Sequence, residues 1–233
     1  MNNALLQIKI KERLNKLASM DYDNIECWQV TEAFNKAQLE FVRRQVHGVN
    51  QKKEGDESTN VLIDDLQALL ITTTLTTTDQ DIYHESASLP ADYLFYKRVS
   101  VNAITNCCPP RPLVTYLAAV ADVDNLLIDI MRNPSAEWGE TFCTLAGNKV
   151  QIYTNNQFDI SDPKLVYYRK PREVEFVGCI NINTGLASPA DVTCEFKDDI
   201  AEMLVDEAVS ILAGDIESIT QYQRNKQNST QNN

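Results

Sequence analysis

Apolar residues follow a helical period at both ends of the chain and a two-residue period through much of the middle. The clearest helical stretch, Trp28 to Val46, carries Val30, Ala33, Phe34, Ala37 and Phe41 on one side, the stripe of a core-facing helix of about five turns. A second apolar set, Trp28, Leu39, Val42 and Val46, lies almost opposite, and Gln29, Lys36, Glu40 and Arg43 fill one arc between them. A surface helix needs only one stripe, so two predict contact with two bodies. Either the helix is buried within its own domain, or the second stripe faces a neighbouring subunit. Periodicity leaves both open.

The other elements follow from the same reading. Residues 3–19 predict a first helix with Leu6, Ile10, Leu14 and Leu17 on one face. The polar break at Asp21–Asn24 offers caps for the next helix, and Gly48 suits its C-terminal cap. Charged residues 51–60 form a loop, and 58–70 predict a short third helix. From Ile71 to Thr78 the β-branched run favours a strand, as does the alternation from Tyr93 to Ile104. Cys107 to Pro112, with three prolines, reads as a turn or rigid link, and Val123 to Met131 as a short helix. Thr141–Ala146 and Lys149–Thr154 around Gly147–Asn148 predict a hairpin, and Leu165–Lys170 and Val174–Ile180 two further strands. Tyr167–Lys170 has the composition of an edge strand. The last helix runs from Asp198 to about Ala213 with a wide apolar arc, Glu202 and Asp206 marking its wet side.

These elements predict an α+β fold, a helical bundle formed from both chain ends with an inserted, mainly β lobe. Residues 1–71 plus 198–220 make the bundle, 72–197 the lobe, and 221–233 a flexible polar tail.

Composition narrows the function. The net charge of −12 opposes binding to nucleic-acid phosphates or to anionic membranes, and no run reaches the length of a membrane span. The first residues, broken by Lys9, Lys11 and Arg13, do not read as a signal peptide. Six cysteines without a CxxC pair read as free thiols in a reducing cytoplasm. Asp64–Asp65 and Asp198–Asp199 are the only carboxylate pairs worth weighing for a metal-dependent hydrolase. On a helix, adjacent residues point about 100° apart, so they read as surface or capping groups. Cys107 with Cys108 lacks further ligands for zinc, and His47 suits the helix dipole. With seven glycines and no phosphate-binding or nucleophile motif, neither an enzyme nor a cofactor is expected.

Several phrases are shared with a known group. Ala33–Asn50 (AFNKAQLEFVRRQVHGVN), Glu54–Ser58 and Ile63–Leu70 (IDDLQALL) resemble a virion protein of crAss-like bacteriophages. Leu89–Tyr93 (LPADY) and Asp162–Pro171 (DPKLVYYRKP) are similar to phrases of head–tail adaptors of short-tailed phages. The resemblance implies a connector ring, dodecameric in that class, that docks beneath the portal protein and contacts other ring or tail proteins. Genomic DNA would pass through without specific binding. In such a ring the second stripe of the central helix, Trp28, Leu39, Val42 and Val46, is the expected subunit contact, and the polar tail from Ile219 onward, with Tyr222, Arg224 and Lys226, the expected portal-docking segment. A tail-hub or tail-fibre adaptor is the alternative. The expected location is the head–tail interface of the virion, after synthesis in the host cytoplasm.

Overall fold

At Leu70 the chain turns from helix to sheet, because a threonine-rich run loses less side-chain freedom on a pleated surface than in a helix. The computed structural model describes residues 1–15, 25–48, 64–105, 108–215 and 227. It divides into two compact units, Met1–Ala68 with Pro171–Asn233, and Leu69–Lys170.

The unit Leu69–Lys170 is an eight-stranded curled sheet. Its strands are β1 (Leu70–Thr74), β2 (Thr77–Asp79), β3 (Tyr83–Ser86), β4 (Tyr93–Thr105), β5 (Cys108–Leu117), β6 (Glu140–Ala146), β7 (Lys149–Tyr153) and β8 (Asp159–Arg169). They lie in the order β1-β8-β4-β5-β6-β7-β3-β2. The two edge strands, β1 and β2, are joined only by Leu75–Thr76. Three steps of ~3.8 Å therefore bring the edges within about 11 Å at that corner, which forces the curl. Val99, Val101, Leu113, Ile152 and Leu165 pack inside it. The β6–β7 turn is the predicted hairpin. Gly147 and Asn148 both have positive φ, as a two-residue turn matched to strand twist requires.

β5 overturns the expectation of a link at the prolines. Residues Cys108–Leu113 pair antiparallel with β4, and Val114–Leu117 pair parallel with β6. Pro109, Pro110 and Pro112 thus lie where the strand has one ladder partner, so their missing N–H groups cost no second ladder. β8, expected as an edge, instead lies between β1 and β4, with Tyr167 and Tyr168 buried. The short helix is α3 (Val123–Ile128), covering Phe142 and Tyr153 through Val123, Leu126 and Leu127.

The other unit holds α1 (Asn3–Asn15), α2 (Cys27–His47) and α4 (Asp198–Asp215). α4 packs on α2 and on α1. Leu6, Ile10 and Leu14 of α1 are fully buried, as their four-residue spacing predicts, whereas Leu17 lies outside the described residues. Glu26 caps α2 in a capping box with Gln29, while the cap candidates at Asp21–Asn24 lie outside the described residues, and Gly48 closes the helix at φ 69°. Glu202 and Asp206 of α4 are not simply wet. Arg13 of α1 bonds Glu202 at 2.5 Å and Asp206 at 2.7 Å.

The bundle expectation is overturned. The chain is mostly the curled eight-stranded sheet with a few short helices, not a helical bundle from both chain ends. Of the third helix expected over 58–70, residues 58–63 lie outside the described residues; 64–66 are helical, Gln67–Leu69 is a 3₁₀ turn, and Leu70 already belongs to β1. Residues 171–197, expected in the lobe, cluster with the helices. The strand expected at Val174–Ile180 is replaced by isolated bridges, Glu175 with Val192 and Ile180 with Ala187. Side-chain amides take its backbone groups instead. Asn35 accepts from the Val174 N–H at 2.7 Å and donates to the Val174 carbonyl at 3.2 Å, and Asn3 donates to the Glu175 carbonyl at 2.8 Å.

Candidate subunit-contact surface

α2 is where the sequence places the subunit contact. Its buried residues are Val30, Ala33, Phe34, Ala37, Gln38, Phe41, Val42 and Gln45. At ~100° per residue they sweep about half of the helix circumference. Val42 belongs to this arc and is fully buried inside its own unit, so it offers nothing to a neighbour. Trp28, Leu39 and Val46 fall within about 20° of one another, outside the arc. Trp28 is 37% exposed, and Leu39 and Val46 are half-buried. The second stripe is therefore a narrow strip of these three residues. The portal-contact candidates Ile219, Tyr222, Arg224 and Lys226 lie outside the described residues.

Two buried glutamines widen the covered arc. Gln38 donates to Asn35 at 3.0 Å and lies 3.7 Å from the Cys194 thiol. Arg44, on the same helix, reaches the buried Glu207 of α4 at 3.4 Å. The free-thiol expectation is corrected at Cys27, the first residue of α2, which is disulfide-bonded to Cys179.

The residues weighed for chemistry lie apart or serve structure. Asp64 pairs with Lys197 and accepts from Gln67 at 2.6 Å, and Asp198 pairs with the N-terminal amine, which holds its carboxyl below the usual range. His47 sits in the last turn of α2, where a cation meets the negative end of the helix dipole. Cys108 is exposed, on the rim of a mainly apolar cleft of about 280 Å³ lined also by Ala103, Arg111 and Glu137. His84, buried in β3, has its Nε2 3.4 Å from Asp159 and 3.9 Å from Asp79. Among the described residues no group of three or more His, Cys, Asp or Glu is arranged to hold a metal ion. Among them, too, no helix is long and apolar enough to cross a membrane.

The sequence does not mark a larger exposed apolar set in the sheet unit, on β5 and from the end of α3 to β6. Its residues are Val114, Tyr116, Ile128, Ile130, Met131 and Trp138. An apolar count of the strand and the helix was in reach, but the signal that these residues stay wet was not. Compared with known proteins, the chain matches no family model and no curated protein.

Proposed function

We propose that the chain is a structural bacteriophage virion protein, a head–tail connector that assembles as a ring beneath the portal. It would extend the DNA channel and give later tail proteins a platform. The observation that carries this reading is the resemblance of the phrases Ala33–Asn50, Ile63–Leu70 and Asp162–Pro171. The curled sheet lends it no architectural support. Two features agree with it. A net charge of −12 suits a wall that must not hold the DNA backbone. The strip of Trp28, Leu39 and Val46 leaves apolar surface for a neighbour.

The test is the mass of the purified protein by light scattering over a concentration series, alone and mixed with portal. A ring-sized complex in either case is the expected result, and a monomer that ignores the portal overturns the reading. Deleting Ile219–Asn233 is expected to abolish portal binding, and unchanged binding removes the tail from that role. The alternative, a tail-hub or tail-fibre adaptor, is favoured by the exposed apolar residues of the sheet unit. Pull-downs with fibre and portal proteins separate the two.

A further inference from the structure

The outer face of β5 and the loop after α3 hold an unusual amount of wet apolar surface. Val114 is 67% exposed, Ile128 79%, Ile130 90%, Met131 78% and Trp138 76%. These residues adjoin. Val114 and Tyr116 share one face of β5. The Val114 N–H donates to the carbonyl of Gly139, next to Trp138. Burial pushes the Tyr116 phenol above its ordinary value, and the charges of Arg132, Glu140 and Asp129 act on it as well, which is consistent with the 128–132 segment lying on the same side. At ~150–250 Å² per large side chain, the six leave on the order of 800 Å² wet. That exceeds the ~300–600 Å² of the largest apolar patch on a typical monomer, and equals one side of a standard protein interface.

Charge says what fits there. From 113 to 148 the chain carries exposed acids at Asp122, Asp124, Asp129, Glu137 and Glu140 against Arg132, and Arg111, exposed on the same strand β5, shares a cleft with Glu137. Two such faces pressed together would repel, so the patch does not pair with itself. A basic pair lies on another part of the same sheet. Arg98 and Lys164 are exposed on one face of β4 and β8, diagonal neighbours across the Ser100–Lys164 rung.

We infer that the Val114–Trp138 face seats a second copy of this chain, head to tail, against that copy's Arg98–Lys164 face. The inference rests on the ring reading and names the surface that such a ring would use. A head-to-tail contact between two different faces is the kind that closes into a ring.

The test is sedimentation of the full chain over a concentration series, for wild type and four sets of variants. Ile130→Asp and Trp138→Ala, both at exposed positions, are expected to weaken self-association at least tenfold with unchanged circular dichroism. Arg98→Glu with Lys164→Glu is expected to weaken it similarly, and adding Asp129→Lys with Glu137→Lys to restore part of the loss. Wild-type association that none of these variants alters overturns this inference and leaves the ring reading standing. Tighter association after Asp129→Lys alone overturns the head-to-tail pairing. A wild type that stays monomeric, alone and with portal, overturns both.

Discussion

A line of four aromatic rings runs across the sheet, and its coupling can be measured. Tyr116 faces Phe142 across the parallel β5–β6 pair, and Tyr83 faces Tyr153 across β3–β7. The β6–β7 register, Cys143 with Ile152, places Phe142 and Tyr153 on the next rung. Phe142 is fully buried and stacks on Tyr153 with centroids 4.6 Å apart at 18°. Tyr116 stands 6.0 Å from Phe142 at 36° and is 38% exposed. Replacing Phe142 by Ala would cost about 3–5 kcal/mol through transfer and cavity terms together, which hides the ring-to-ring contribution.

Leucine preserves most of the volume and isolates that contribution. In a double-mutant cycle of Phe142→Leu with Tyr153→Leu, the coupling should be about 1 kcal/mol, within the ~0.5–1.5 kcal/mol of stacked pairs beyond buried area. The cycle of Phe142→Leu with Tyr116→Leu should give less than half of that, since the pair is wider and one ring is partly wet. The assay is urea unfolding followed by far-ultraviolet circular dichroism, with midpoints compared at constant slope. Coupling near zero for Phe142–Tyr153, or the reverse ranking, would refute the reasoning that the close, dry stack is the stronger link in this line.

Other outcomes are equally concrete. Wild type and the Cys27→Ser/Cys179→Ser variant should release equal numbers of thiols in denaturant without reductant, and an excess of two from wild type would show the pair unbonded. With a separation of 152 residues, losing the bond should cost up to about 5 kcal/mol by the chain-entropy estimate, measured from denaturation midpoints. Arg44→Met removes a cation 3.4 Å from the buried Glu207 and should lower stability, while adding Glu207→Leu should recover much of the loss in the same assay. The Tyr167 phenol, buried and donating to Asp92 at 2.9 Å, is pushed up to about 12, burial being the larger cause. Its unfolded form ionises near 10 and releases its proton first, so its contribution to stability is whole below pH 10 and lost from there to about 12. Tyr167→Phe should leave the phenolate absorbance step near pH 10 unchanged, and a smaller step would contradict the burial.

What was legible in the chain was local chemistry. Gly147–Asn148 announced its hairpin because both positions need positive φ, and Gly48 announced the end of α2 for the same reason. Leu6, Ile10 and Leu14 announced the buried face of α1. What was hidden depended on partners. The prolines of β5 forbid a strand with two ladders but not one with a single ladder, and only the pairing reveals which it has. Val174–Ile180 alternates like a strand, yet Asn3 and Asn35, both distant in sequence, take backbone groups that a sheet would have used. β3 went unseen because His84 and Glu85 interrupt a four-residue run that has no apolar period.

The subunit-contact candidate shows how the same limit shapes function. Counting apolar residues separated Val42 from the core stripe, because Gln38 and Gln45, which bridge the gap on the helix wheel, read as wet and are buried. With Val42 removed, Trp28, Leu39 and Val46 keep on the order of 200 Å² exposed, about a quarter of one side of a standard interface. A contact of that size alone would be of the weak, crystal-packing kind. If the chain forms a ring, most of the association energy must come from elsewhere, and the acid-rimmed face around Ile130 and Trp138 has the area. Trp28→Ala should therefore weaken self-association less than Ile130→Asp does in the same sedimentation series. The opposite order would return the contact to α2, with the sheet face left to some other partner.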